Sequence, residues 1–544
     1  MTAPSLESFA DELLPEGAVV DGAALTRDVD EEHDYVVVGS GAAGAVAAHT
    51  LANAGFSVAI VEEGAWIKTR DFTSDIATTF QRMMRDEGAQ ATEGRSFMPL
   101  LQGKCVGGST VINSAIAWRT PEDVLDDWRE RFGLGEVLNA RNLEEHFEAL
   151  EKDLSVRHVD DSALGENNRS FLNEAHRRGY EAAAMKRYDR GCKGSGRCLQ
   201  GCPNGAKQGM NITYVPWALQ TGRARIYTSC RVLKAIVKGG RAVGVLARAK
   251  NSEKSEVVLR ARLGVIIAAS TVQTPNLLRR SGVRSEELGK HFQVHPGVGV
   301  GARFDGRIDM HFGATQGAES IQFRKDKRFK LETISMPPEL AAARVPGTGV
   351  ELIDRLAALK NTAVWAVQVR MAAEGQVSQT LFGRDKVVYT PTERDMVAAR
   401  EALSLICEMF FSAGAREVWP GIYGAPSVIT SPDQLDLVRN ANLDPRSYSF
   451  VATHLFGAAR MGPNRDQSVV GTDFSTHDIK DLFVVDSSLF PTNLGVNPQH
   501  SIMGISRLAA TQIAEKNRAR ISGSKLTTSA AETHPAKSAV IKAA

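Results

Sequence analysis

Three glycines and one acid in the segment DYVVVGSGAAGAVAAHTLANAGFSVAIVEEG have the types and spacing to hold a dinucleotide. Gly39 permits a tight turn after the apolar run Tyr35 to Val38, Gly41 lets backbone approach a pyrophosphate, and Gly44 allows a helix to pack closely on a strand. The phosphates would rest on the N-terminus of an alanine-rich helix that runs through Ala42 and Ala43 to about Asn53. A second β-rich run, Ser57 to Val61, ends at Glu62, where a carboxylate can accept hydrogen bonds from both hydroxyls of an adenosine ribose and would repel a 2'-phosphate. The pattern favours FAD or NAD over NADP, and the ordered strand, helix, strand and acid argue against an ordinary glycine-rich loop.

A second group is CKGSGRCLQGCPNGAK, in a chain that otherwise uses cysteine sparingly. Cys192, Cys198 and Cys202 have five and then three residues between them. Thiolates are soft ligands suited to zinc, copper(I) or iron–sulfur. Three is the number a 3Fe-4S cluster needs, whereas structural zinc wants four ligands, and no histidine lies between His176 and His291 to supply one locally. Free thiols, zinc with a fourth ligand from a distant segment, and a disulfide remain alternatives. Cys105, Cys230 and Cys407 are isolated and are expected to be unreactive.

The chain that must position these groups has 544 residues, too many for one simple core, so two domains interleaved in sequence are expected. With a formal net charge of +2 and 24% charged residues, nothing points to nucleic acid or to a disordered protein, and a small-molecule partner is expected. No run of eighteen apolar residues and no basic, then apolar, leader is visible, so a soluble cytoplasmic protein without a transmembrane segment is expected; periplasmic export with a partner subunit is the alternative. Residues 518–544, rich in Ser, Thr, Ala and Lys without periodicity, read as a disordered tail.

Three further segments narrow the reading. GKCVGGSTVINSAIAWRTPED offers the Gly107-Gly108 pair, Ser109 and the amide of Asn113; VIIAASTVQTPNLLRRSGV reads as a buried strand, a Ser/Thr turn and a helix from about Pro275; LFVVDSSLFPTNLGVNPQHSIMGISRLAATQIA reads as a strand, Asp486, a loop through Asn497 and a helix. Together these resemble the glucose–methanol–choline (GMC) family of FAD-dependent oxidoreductases from about Asp34 to Lys516. Thr120 in the first family signature and Arg284 at the close of the second depart from the usual small residue and glycine.

The resemblance implies an α/β protein, α+β in total. A Rossmann-like FAD-binding domain (30–120, 210–295 and 465–517) would be interleaved with a substrate-binding domain (121–209 and 296–464) on a mostly antiparallel sheet, with the cysteine loop at 191–207. Gly39 to Gly44 and Glu62 would hold the ADP half of FAD, Val232 would present backbone to the adenine, Asp486 would contact the ribityl–pyrophosphate region, and Gly107 to Asn113 would run beside the isoalloxazine. Ile112 stands where some relatives tether the flavin through histidine, so FAD is expected to be non-covalent. Of the twelve histidines, the resemblance selects His454, in THLFGAARMG, as the base, and Asn497, in GVNPQHSIM, as its partner amide that orients the substrate oxygen. His500 is expected to point elsewhere and His295 to be structural or at the substrate boundary.

The cysteine spacing resembles that of GMC sugar dehydrogenases, which relay electrons through such a cluster to a cytochrome, so an acceptor protein of that kind is implied if the cluster forms. The expected reaction is oxidation of a primary or secondary alcohol by hydride transfer, an apolar one before a sugar. Reoxidation by oxygen and a non-redox lyase of the same fold are the alternatives. In the poorly matching region 297–419, Met336, Trp365 and Val367 are expected in the core rather than in a pocket.

Overall fold

The computed structural model describes residues 13–524, with side chains to residue 518. Among these residues the strands form one mostly parallel sheet, one antiparallel sheet and two small two-stranded sheets.

The parallel sheet is built around Val29–Val38, whose last four residues, Tyr35 to Val38, are buried and aromatic or β-branched, as a strand covered on both faces requires. It pairs in parallel with Val58–Val61 on one side and Glu256–Ile267 on the other. Ala224–Thr228 and Val19–Asp21 extend the first side. On the other side Glu256–Ile267 divides: its first half pairs antiparallel with Arg241–Ala249, which turns back to Cys230–Lys238, and its last residues pair in parallel with Leu482–Val484. The carboxyl ends of three parallel strands therefore open on one crevice, where α/β sheets bind ligands.

Helix Ala42–Asn53 leaves the first strand and packs against Gln499–Ser524, with Ser506 Oγ donating to the Ala43 carbonyl at 2.8 Å. Two of the expected boundaries bear on the packing here. Helices Glu122–Phe132 and Ala140–Asp153, in the segment expected in the substrate domain, bury Trp128, Leu143, Phe147 and Leu150 in the core of the parallel sheet, Trp128 against Phe490 and the second helix against Gln499–Ser524. That helix also continues to Ser524, past the expected start of the tail, and residues 525–544 lie outside the described part.

The antiparallel sheet runs, edge to edge, Glu417–Trp419, Gln293–Arg303, Thr362–Val369, Phe329–Thr333, Ala318–Ser320 and Ala182–Ala184, with Val451–Phe456 also on Gln293–Arg303. Helix Glu393–Ser412 covers one face, started by a capping box in which the Thr392 hydroxyl accepts from the Asp395 amide and Asp395 accepts from the Thr392 amide. Thr362–Val369 alternates: Trp365 stacks on Phe410 of that helix with ring centres 3.9 Å apart, while Val364, Ala366 and Gln368 line a cavity on the opposite face. Trp365 and Val367 are core residues, as expected, whereas Met336 is on the cavity wall.

Candidate active site

A single cavity of about 1040 Å³ runs from the crevice of the parallel sheet to the open face of the antiparallel one. Its first end is made largely of backbone. Gly39 holds φ +100°, and a Cβ there would lie 2.3 Å from the Ala268 carbonyl oxygen. At Gly41 a Cβ would meet only the Gly108 Cα, at 3.9 Å, so the N-cap of helix Ala42–Asn53 faces open space and carries no side-chain cap. A helix N-terminus left bare beside a cavity is the cradle an anionic pyrophosphate requires.

Ser40, between the glycines, ties the loops together. Its hydroxyl donates to Glu62 Oε2 at 2.6 Å and accepts from the Gly107 amide at 3.1 Å. Glu62 also accepts from the amides of Ser40 (3.1 Å) and Gly64 (2.8 Å); burial pushes its carboxyl above the usual range, against those hydrogen bonds. Asp486, just beyond Leu482–Val484, accepts from the Ser270 amide at 3.0 Å, the Thr274 hydroxyl at 2.6 Å and the Ser488 amide at 2.9 Å, and burial raises its carboxyl likewise. Gly39, Gly41, Ala42, Ala43, Glu62, Gly108, Ser109, Asn113, Val232 and Asp486 all line the cavity, while Gly44 and Gly107 stand behind its wall. The Asn113 amide is used internally: its oxygen accepts from the Ala115 amide at 3.0 Å and its NH2 donates to Gln499. Thr120, one of the two signature departures, donates to the buried Ser501 hydroxyl at 2.8 Å.

The other end is made of side chains. Val451–Phe456 carries His454 to the wall, paired with Gln293–Arg303 through a register shift between Val294 and Pro296. That bulge brings His295 against it, Nδ1 to Nδ1 at 3.3 Å. Burial, and then the charge of Lys330, pushes His454 down to about 3, and burial holds the fully enclosed His295 well below the usual histidine value, so both rings are neutral near pH 7. Asn497 is on the same cavity, and its Oδ1 accepts from Lys330 Nζ at 2.7 Å. Lys330 also meets Glu319 (2.5 Å) and Glu332 (3.4 Å). Burial lifts Glu332 to about 7, Lys330 opposing and Glu319 adding to the shift. His500 is enclosed elsewhere, stacked on Phe147 with ring centres 5.0 Å apart.

Sequence reasoning missed Ser40, Lys330, Glu319 and Glu332 and left His295 apart from His454. The available signal was FKLET: a lysine and a glutamate alternating with core residues inside a wholly buried strand.

The cysteine loop does not support the expected cluster. Cys192, Cys198 and Cys202 do come together around a space of about 10 Å³, yet among the described residues no group of three or more His, Cys, Asp or Glu side chains is arranged to hold a metal ion. Arg187, 1% exposed, stands among them and donates from Nη2 to Cys198 Sγ at 3.1 Å. Burial would raise the Cys198 thiol, but Arg187 and Lys207 outweigh it and leave it below its ordinary value. The six cysteines are free thiols.

Known proteins are similar to this chain in sequence and in fold. Family models described as GMC oxidoreductase match residues 33–297 and 377–506. An uncharacterized GMC-type oxidoreductase of Mycobacterium tuberculosis is 34% identical over 485 residues, covering 89% of this chain and 76% of that one. A long-chain-alcohol oxidase of Arabidopsis thaliana is 26% identical over 539 residues, covering 92% and 69%. Among solved structures, a variant of the Aspergillus oryzae RIB40 formate oxidase, studied for FAD modification, superposes with a TM-score of 0.71 at 18% identity, covering 91% of this chain and all of that one.

Proposed function

The chain belongs to the GMC oxidoreductase family, and from that premise we propose that it oxidises a primary or secondary alcohol to the aldehyde or ketone, using non-covalently bound FAD. The observation that carries this reading is one continuous cavity with the bare helix N-terminus and Glu62 at one end and His454 with Asn497 at the other. Gly39, Gly41, Glu62, Val232, Asp486 and the Gly108–Asn113 segment would hold the cofactor. Ile112, 5% exposed on the wall, offers no atom for a covalent tether. Bound there, FAD would supply the acceptor for the hydride that leaves the carbinol carbon.

The chain's own part is proton and position. The Nδ1 to Nδ1 contact needs one donor and one acceptor. When His454 donates through Nδ1–H, its Nε2 keeps a free lone pair and can take the hydroxyl proton; His295 then accepts at Nδ1 and carries its own proton on Nε2. The base is thus set by tautomer, with neither ring charged before the reaction. The Asn497 amide donates to the substrate oxygen and holds the carbinol in a reactive orientation.

The cavity wall beyond His454 includes Met310, Ile334, Met336, Leu340, Val364 and Trp419, which supports an apolar alcohol over a sugar. No helix of the described residues is long and apolar enough to cross a membrane, and free thiols fit the reducing cytoplasm, the compartment proposed here. A cytochrome partner rested on the cluster, and without support for the cluster none is proposed. Oxygen as acceptor is a second reading, favoured by the oxidase names of similar proteins.

The test is anaerobic mixing of the holoprotein with n-alkanols of increasing length. Bleaching of the flavin with release of aldehyde is expected, fastest for the longer chains. A flavin that no alcohol bleaches would overturn the reading and return it to a lyase. Oxygen uptake with peroxide in the aerobic reaction would identify the oxidase.

A further inference from the structure

Behind the substrate wall stands a buried ammonium that the reaction as described does not use. In Phe329–Thr333, Phe329 and Leu331 belong to the apolar core, while Lys330 and Glu332 take the opposite face by strand alternation. The antiparallel register sets Glu319 directly opposite Glu332. Two carboxyl groups so placed repel one another when both are ionised, and Lys330 lies between them with no exposure to solvent. Glu319 is anchored from its other side by the Trp118 indole N–H at 2.9 Å, and Glu332 by the Gln316 amide at 2.7 Å. The ammonium is therefore held in place by groups that are themselves held.

Its remaining partner is Asn497 Oδ1, at 2.7 Å. A charged lysine has three donors and no acceptor, so the Asn497 atom that faces it must be the carbonyl oxygen. The carboxamide NH2 is thereby turned away from Lys330, in a residue that lines the cavity. An amide without such a partner could present either end, and only the NH2 end can donate to a substrate oxygen.

We propose that Lys330 is the positioning residue for Asn497, fixing the carboxamide so that its NH2 meets the substrate oxygen. This rests on Asn497 being the substrate-orienting amide. Lys330 itself touches neither substrate nor cofactor in this role.

The test uses the FAD-loaded protein with Lys330→Met, Asn497→Ala and the two combined. Since Lys330→Met strips the counter-charge from two buried carboxylates, Glu319→Gln/Lys330→Met serves as a second variant. Two readouts are taken: the limiting rate of flavin reduction by n-octanol, and the dissociation constant of 1H,1H-perfluoro-octan-1-ol, whose fluorinated chain leaves the CH2OH group intact but disfavours hydride loss, from perturbation of the flavin band. Lys330→Met is expected to lower the limiting rate by about tenfold to a hundredfold and to weaken analogue binding by about tenfold, with FAD content unchanged. Added to Asn497→Ala, it should change either readout by no more than about twofold, since its effect runs through the amide already removed. Additive losses in the combined variant, or unimpaired Lys330 variants, would overturn the proposal while leaving Asn497 in its role. An unimpaired Asn497→Ala would remove the reading on which it rests, and the proposal with it. Failure of both Lys330 variants to fold would make Lys330 a structural ion and also overturn it.

Discussion

The two ends of the cavity are built by different means. At the end proposed for the nucleotide the groups in question are backbone amides and two carboxylates held by N–H and O–H groups of three turns, Gly39 to Gly44, Gly107-Gly108, and Ser270 to Thr274, the last reaching Asp486 across the fold. At the end proposed to react the groups in question are side chains from segments far apart in sequence, His295, Lys330, His454 and Asn497, joined by strand register and by buried charge. A turn specifies itself, whereas a register is specified by the whole sheet. The first end should therefore fail through sterics and the second through chemistry.

That contrast can be broken at its strongest point. Gly39→Val places a Cβ against the Ala268 carbonyl at a φ that L side chains rarely adopt, and the purified protein is expected to carry no flavin by its visible spectrum. A full flavin complement would show that the cradle does not depend on its backbone. At the reacting end, His295→Ala removes the Nδ1 partner that sets the His454 tautomer; FAD should remain bound while flavin reduction slows by about tenfold to a hundredfold. A rate equal to that of the parent protein would make the histidine pair incidental.

Smaller effects sharpen the difference. Glu332 is lifted to about 7, so the folded protein holds this proton at pH values where the unfolded chain has released it. Folding stability should then fall as pH climbs from the ordinary carboxylate range to about 7 and level off beyond it, and Glu332→Gln should flatten this part of the profile in thermal melts. An unchanged slope would place the proton elsewhere. The smallest effect is expected outside the cavity: Cys192→Ser and Cys202→Ser should leave the rate at which reduced flavin passes its electrons on within about twofold, and a larger loss would return the cysteine loop to the electron path.

The same contrast explains what the sequence made legible. Gly39, Gly44 and Glu62 can be read from one segment because their spacing is their geometry. His454 and Asn497 could be picked from the chain only through likeness to a family, since nothing in their own segments says they share a wall. Lys330, Glu319 and Glu332 meet through the pairing of Ala318–Ser320 with Phe329–Thr333, which no local pattern announces. Helices Glu122–Phe132 and Ala140–Asp153 showed an apolar stripe without saying which core would receive it. The cysteine spacing gave the number of thiols, but the strand Lys186–Tyr188 that brings Arg187 among them lies outside the motif.

The most direct measurement is the anaerobic rate of flavin reduction by n-octanol in His454→Ala, matched to the parent protein for bound FAD, from about pH 5 to 8. With His454 as a base held near 3, the parent rate should show no acid limb at the ordinary histidine value, and the variant should be slower by more than about a hundredfold at every pH. A variant that reduces its flavin at a near-parent rate would contradict the assignment of His454 as the base.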